Sequence, residues 1–203
     1  MTKHVIITRL LYNDKEMLRI RAALMNKTLI SSLKAQLSND IELVILAADF
    51  IDDIKELIDF PFTVLRSVDD IIPYCKKNNF KTQTRIDSDD ILFTQYFLVV
   101  EHYLAKHKDE ILLNFNQLWW DVENDKLFKA KAIFHNEHTS GFLTLINLKH
   151  TSHVYEYWHN IMYKYHKVIT VPGHHAVYNM HPNQISKIPI DERKKLGMNK
   201  KQK

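Results

Sequence analysis

Hydrophobic and polar positions along the chain alternate between two periods. His4-Val5-Ile6-Ile7-Thr8-Arg9-Leu10 is β-branched and apolar and ends in charge, which predicts a buried first strand with Thr8, Arg9 and Tyr12 at its carboxyl end. From about Lys15 to Gln36 the apolar residues Leu18, Ala22, Met25, Leu29 and Leu33 recur every three or four positions. That is one helix face, with a break expected near Asn26-Lys27-Thr28. Glu42 to Ala47 reads as a second strand and Asp49 to Asp59 as a short amphipathic helix stopped by Pro61. Phe62 to Leu65 reads as a third strand. The alternation β, α, β, α, β implies a mostly parallel sheet with helices on both faces.

The same reading continues into the second half. Asp69-Asp70 follows the third strand and reads as a cap for a helix over Ile71 to Lys77, with a contact to a donor base or ribose as the functional alternative for Asp69. Leu92, Tyr96, Val99, Val100 and Tyr103 predict a helix running from Asp89 to about Lys108. Glu110 to Asp121 and Lys126 to Ile133 read as a hairpin turning at Glu123-Asn124-Asp125 and carrying Trp119-Trp120. One of those rings is expected in the core and the other free to stack on a sugar or base. Phe142 to Leu148 is a further expected strand, Thr151 to Lys164 an aromatic-rich helix, and Pro172 to Asn183 a loop with three histidines. Residues 1–190 read as a single domain and 191–203 as a basic disordered tail or linker.

Composition narrows what this fold can do. The chain has 203 residues, 45% of them hydrophobic, enough for one domain with a sizeable core. Much of the net charge of +4 lies in the last dozen residues, so the body has no general nucleic-acid field. One cysteine, Cys75, excludes an internal disulfide. No apolar run is long enough to span a bilayer and no signal-peptide core is visible, so the expected location is cytoplasmic. The three glycines, Gly141, Gly173 and Gly197, write neither a dinucleotide-binding fingerprint nor a phosphate-binding P-loop. A phosphate-rich ligand must then be held by a metal or by cationic side chains.

The chemistry concentrates in Thr84-Arg85-Ile86-Asp87-Ser88-Asp89-Asp90. A helix cap needs one carboxylate, and Asp89 or Asp90 can supply it; three are present. If the segment is extended, Asp87 and Asp89 share a side. With the adjacent guanidinium of Arg85 they form a hard-oxygen site suited to Mg²⁺ or Mn²⁺ carrying a diphosphate. His135, Glu137 and His138 cluster before Gly141, and His174, His175 and His181 lie further on. None of these matches a closed zinc signature.

Taken in order, Thr8-Arg9, Ser32-Leu33 with Gln36, Thr84 to Asp90 and His181-Pro182-Asn183 follow one pattern. It resembles the GT-A-fold glycosyltransferases, within them the rhamnosyltransferase-like family with a TRLDxDD-type motif, written here TRIDSDD. The likeness covers about residues 4 to 186. A short domain of this kind with a basic tail also looks like glycosyltransferase domains of large DNA viruses.

The resemblance implies an α/β, GT-A-like fold with a mixed, mostly parallel central sheet and hexosyltransferase activity. It implies a UDP- or dTDP-sugar donor, possible sugars including rhamnose and glucose, a glycan acceptor, and Mn²⁺ or Mg²⁺. Under it Asp87 orients ribose or sugar hydroxyls and shares the metal with Asp89 and Asp90, and His181 completes the shell. Arg9 and Arg85 face the diphosphate or base, with Thr8, Tyr12 and Ser88 beside them. The loop with Ser140 and Gly141 lies under the donor sugar. An inverting enzyme needs a carboxylate to deprotonate the acceptor, with Asp121 and Glu137 as candidates. Two alternatives use the same residues differently: a two-metal phosphoesterase or nuclease, and a non-catalytic nucleotide- or sugar-binding module.

Overall fold

The computed structural model describes residues 3–12, 14–36, 40–47, 49–121, 125–129, 142–156 and 159–180. Three parallel neighbours open the sheet: β1 (His4–Leu10), β2 (Ile41–Ala47) and β3 (Phe62–Leu65). β4 (Thr82–Arg85) lies parallel on the other side of β1, with Ile7 opposite Arg85. Beyond it come β5 (Ile91–Leu92), β6 (Ile111–Asp121), β7 (Lys126–Lys129), β8 (Leu143–Ile146) and β9 (Val168–Met180). The strand order is β3-β2-β1-β4-β8-β6-β9-β5, with β7 paired to β6. β8 is antiparallel to both β4 and β6, and β9 is parallel to β6. The carboxyl ends of β1, β2, β3, β4, β6 and β9 therefore share one edge, where open α/β sheets bind ligands.

Both faces of the sheet are covered, as its unbroken apolar strands require. On β1, Ile6 and Leu10 point into one cluster with Leu18, Met25, Leu43, Ile54, Phe97 and Phe115. Val5 and Ile7 point into the other with Val44, Leu46, Ile71, Cys75, Phe80 and Leu143. The first cluster is roofed by α1 (Lys15–Met25), α2 (Ser31–Lys34) and a 3₁₀ helix over Asp49–Leu57. The second is covered by α3 (Ile71–Asn78). α4 (Tyr96–Lys106) joins the first. Among the described residues no helix is long and apolar enough to cross a membrane.

The helix expected from Lys15 to Gln36 is continuous where a break was expected. Asp14 caps it, accepting the Met17 N–H at 2.7 Å, and at Asn26–Ile30 it widens into a π-helical turn before α2. The Thr28 hydroxyl there reaches the Leu24 carbonyl at 2.9 Å and the Ser88 carbonyl at 3.3 Å. The widened turn thus brings the helix onto the acidic segment.

Three other expectations change. The helix after the acidic turn starts at Tyr96, not Asp89, because Ile91 and Leu92 pair with Val177 and Ala176 as β5. Neither Asp89 nor Asp90 caps it, since its first-turn neighbour is Gln95, which makes no side-chain cap. Residues 151–156 form turns rather than a helix: the Val154 N–H is drawn to the Gln83 side chain at 3.3 Å, and among the described residues of this stretch only His159–Lys164 coils, as 3₁₀. Val168 to Met180 is a strand where a loop was expected from Pro172. Gly173, at φ +89°, lets the chain pass the proline as the register against β6 slips around Asn116.

Candidate functional site

β4 ends at Arg85 and the chain then turns sharply, with the bend at Ser88 and Asp89. The extended geometry that would align Asp87 with Asp89 is therefore absent. Asp87 is exposed, whereas Ser88, Asp89 and Asp90 are buried. Arg21, on the inner face of α1, grips this turn. Its Nη1 donates to Asp89 Oδ2 at 3.1 Å and its Nη2 lies 3.1 Å from Oδ1, a fork on both carboxylate oxygens. Nη2 also donates to the Ser88 hydroxyl at 3.3 Å. The guanidinium lies 5.6 Å from the Tyr12 ring, which is buried in the core beneath it.

Asp90 faces inward. Its Oδ1 accepts the Asn179 backbone N–H at 3.3 Å and its Oδ2 accepts from Gln117 Nε2 at 3.5 Å. The Asn179 side-chain amide in turn donates to the Asp89 carbonyl. β9 and the acidic turn are thus tied in both directions. Burial, and then the charges of Asp87 and Asp89, push the Asp90 carboxyl well above the usual range, against the Asn179 N–H and the Arg21 charge. Arg21 is the cation that acts on Asp90, against the charges of Asp87 and Asp89.

A cationic pair lies beside this turn. Arg85 is 7% exposed, its Nε has no hydrogen-bond partner, and its guanidinium sits 4.6 Å from the Tyr155 ring centroid. Arg9, exposed at the end of β1, sits 5.0 Å from the same ring. The Tyr155 hydroxyl donates to the Ile7 carbonyl at 3.0 Å, which fixes the ring over the ends of β1 and β4. Burial chiefly lowers the Arg85 pKa and the Arg9 charge adds to that, while Tyr155 and Asp87 oppose it. No salt bridge among the described residues involves either arginine. Two neighbouring cations with no salt bridge to an acid among the described residues, one of them desolvated, suit an anion.

The remaining expected residues are distributed unevenly. Thr8 is fully buried within β1, its hydroxyl without a partner. Asp69 is exposed on a 3₁₀ turn after β3, at the far side of β2 and β1 from the acidic turn. The cap there is Ser67, whose hydroxyl accepts the Asp69 N–H, with Asp70 completing a capping box. Asp121 is the last residue of β6, in register with Lys126 and Met180. Trp120, half-buried, donates its indole N–H to Asp125 at 3.1 Å. Glu137, Ser140, Gly141, His181 and the 191–203 tail lie outside the described residues.

A resident metal site is not preassembled: among the described residues no three His, Cys, Asp or Glu side chains converge on one point. Asp89 is engaged by Arg21. Asp87 is the accessible carboxylate, and one or two carboxylates are enough where substrate phosphates supply the other ligands. The donor set fits a divalent ion delivered with a diphosphate.

Sequence reasoning missed Arg21, Gln117, Asn179 and the stacking role of Tyr155. Arg21 was legible, because it falls on the Leu18, Ala22, Met25 stripe where a charge must be paired. Gln117 and Asn179 depend on the pairing of β9 with β6, and Tyr155 on the docking of the 151–156 turns onto β1 and β4, neither of which a local pattern encodes.

No protein-family model matches the sequence, and no curated protein was found to be similar. Among solved structures the chain resembles the mannosyltransferase PcManGT from Pyrobaculum calidifontis, solved in complex with GDP-Man and Mn²⁺. The TM-score is 0.55 at 11% identity, over 87% of this chain and 56% of that one. It also resembles residues 1–349 of S. aureus TarS, with a TM-score of 0.51 at 11% identity over 88% of this chain and 60% of that one. The chain therefore spans less than two thirds of either structure. At this identity the likeness shows the fold: a mixed α/β, GT-A-like architecture with a mostly parallel sheet.

Proposed function

We propose that the chain is a glycosyltransferase domain that moves a sugar from a nucleotide-diphosphate donor to a hydroxyl of a glycan acceptor, with a divalent metal. The observation that carries this reading is the juxtaposition of the Arg9–Tyr155–Arg85 stack with the acidic turn at the carboxyl ends of β1 and β4. A diphosphate is the ligand that needs both halves, cations for its oxygens and a carboxylate-held ion for the rest of its charge. The fold shared with a protein solved with GDP-Man and Mn²⁺ supports it.

Arg85 and Arg9 would bind the diphosphate oxygens, and desolvation at Arg85 strengthens that contact. Asp87 would hold Mn²⁺ or Mg²⁺ with the phosphates, the ion offsetting charge on the departing diphosphate. In an inverting reaction, a carboxylate takes the acceptor hydroxyl proton and the acceptor oxygen bonds to the anomeric carbon. The bond to the diphosphate breaks, its electrons leaving on the phosphate oxygen. Asp121, at the same sheet edge, and Glu137 are the proposed bases. Asp69, Ser140 and Gly141 remain proposed donor contacts and His181 a proposed addition to the metal shell, whereas Thr8 and Tyr12 are buried and Ser88, Asp89 and Asp90 are already engaged by Arg21 and β9.

The test is a thermal-shift panel of UDP, dTDP and GDP with their glucose, rhamnose, mannose and N-acetylglucosamine conjugates, each with and without Mn²⁺. Ligands that bind the native state raise its melting point by mass action. A rise requiring metal plus one nucleotide is expected and identifies the base. No shift across the panel, with turnover of simple phosphodiesters, would replace this reading by the phosphoesterase.

A further inference from the structure

Arg21 lies outside the TRIDSDD segment and is buried, yet it grips that segment by a forked contact on Asp89 and a bond to Ser88. A lone exposed arginine on a helix is free to wave in solvent; this one is 6% exposed and commits its two terminal nitrogens to one turn. The turn it holds comes between Asp87, the accessible carboxylate, and Asp90, which is tied to β9. Removing the fork leaves Asp89 as a buried charge among like charges, and the turn must then move to hydrate it. Asp87 would move with it.

We infer that Arg21 is a positioning residue: by chelating Asp89 and bonding Ser88 it fixes the acidic turn, so that Asp87 presents its carboxylate beside the Arg9–Arg85 pair. Asp89 serves in the first place as the anchor for Arg21. The site is then built on two anchored poles, with α1 holding the acidic one and Tyr155 the cationic one. The consequence for metal binding rests on the nucleotide-sugar reading above, whereas the hold on the turn does not.

The experiment compares wild type with Arg21→Lys and Arg21→Met in two measurements. Hydrogen exchange, which needs no ligand, is expected to show lost protection for amides of Ser88 to Asp90 in both variants, with β1 and β2 unchanged. Lysine keeps the charge without the fork. Unchanged exchange in the turn overturns the proposal whatever the nucleotide results, and loss throughout the sheet makes Arg21 a general stabiliser and overturns it as well.

The second measurement is free Mn²⁺ read by electron paramagnetic resonance in the presence of UDP and of GDP, beside metal-free pyrophosphate binding by calorimetry. Outer-shell partners typically contribute about 10- to 100-fold to metal affinity, so a loss of that size is expected in Mn²⁺–nucleotide binding. Pyrophosphate binding should stay within about twofold, because Arg9 and Arg85 are untouched. Equal losses in both would assign Arg21 to the fold instead. Failure of wild type to bind any Mn²⁺–nucleotide would sink the functional reading while leaving the exchange result to decide on Arg21.

Discussion

Arg85→Met is expected to make the protein more stable and to weaken its binding of a nucleotide. The side chain is 7% exposed, its Nε is unpartnered and among the described residues no carboxylate forms a salt bridge with it, Asp87 acting only at longer range, so the folded state carries a largely desolvated cation. Desolvation costs several kcal/mol per ion even after relaxation, about 4 kcal/mol as a round figure. Stacking on Tyr155 at 4.6 Å returns about 2 kcal/mol. Methionine fills much of the same volume and needs no hydration. The balance leaves a gain of about 1–2 kcal/mol, which for a chain of this size raises the melting temperature by about 2–8 °C. A charge-assisted hydrogen bond to phosphate is lost at the same time, about 1.5–3 kcal/mol or roughly 10- to 150-fold in affinity. Thermal unfolding and UDP–Mn²⁺ calorimetry on the same preparation read both effects. A variant that is less stable than wild type and binds nucleotide normally would refute the reasoning, because Arg85 would then be structural.

Other substitutions separate the roles of the acids. Asp89→Ala removes the partner of a buried arginine and should cost about 3–5 kcal/mol in urea unfolding. Asp87→Ala, at an exposed position, should stay within about 0.5 kcal/mol while losing metal-dependent binding; the reverse order of stabilities would exchange their assignments. His4 supplies a pH test remote from the site. Its Nδ1 lies 2.8 Å from Thr82 Oγ1, and burial lowers its pKa from 6.5 against the opposing influence of Glu101. The unfolded chain thus binds the proton more readily. The contribution of neutral His4 is complete above pH 6.5 and is lost as pH falls from there through the lower folded value. His4→Gln should flatten that acid-side loss in urea midpoints taken between about pH 7 and about pH 5, and an unchanged slope would assign the loss to other groups.

The fold was legible wherever one face of an element is buried against a neighbour close in sequence. Val5 and Ile7 against Ile6 and Leu10 announce a strand packed on both sides, and Leu18, Ala22 and Met25 announce α1. Legibility ends where distant pairing overrides the local pattern. Ile91-Leu92 fits the helical spacing that continues through Tyr96, yet it pairs with β9, 84 or more residues away. Pro172 and Gly173 read as loop, yet the long neighbour β6 carries the chain through them as strand. The acidic segment was found from its density of carboxylates, but which acid is buried depends on Arg21 and Asn179. Those contacts bridge 68 and 90 residues.

Under the proposed function, the arrangement would also make metal and nucleotide binding depend on each other. Among the described residues of the turn, a metal alone would meet one accessible carboxylate, since Arg21 engages Asp89 and β9 and β6 engage Asp90. A nucleotide alone would meet the arginine pair but also the field of the acidic turn, which already acts on Arg85 through Asp87. Together each would supply what the other lacks: phosphate oxygens would add ligands to the metal, and the ion would screen the diphosphate from the carboxylates. The two should bind cooperatively, and thermodynamic linkage requires the same factor in either direction, typically about 5- to 150-fold. Titrating Mn²⁺ with and without UDP, and UDP with and without Mn²⁺, gives two estimates of that factor. Correction for the Mn²⁺–UDP complex in solution is part of the analysis of those titrations. Equal factors well above one would place both ligands in the site described. A factor near one would mean that Asp87 and the Arg9–Arg85 pair do not act on a common ligand, and the acidic turn would then owe its three carboxylates to folding alone.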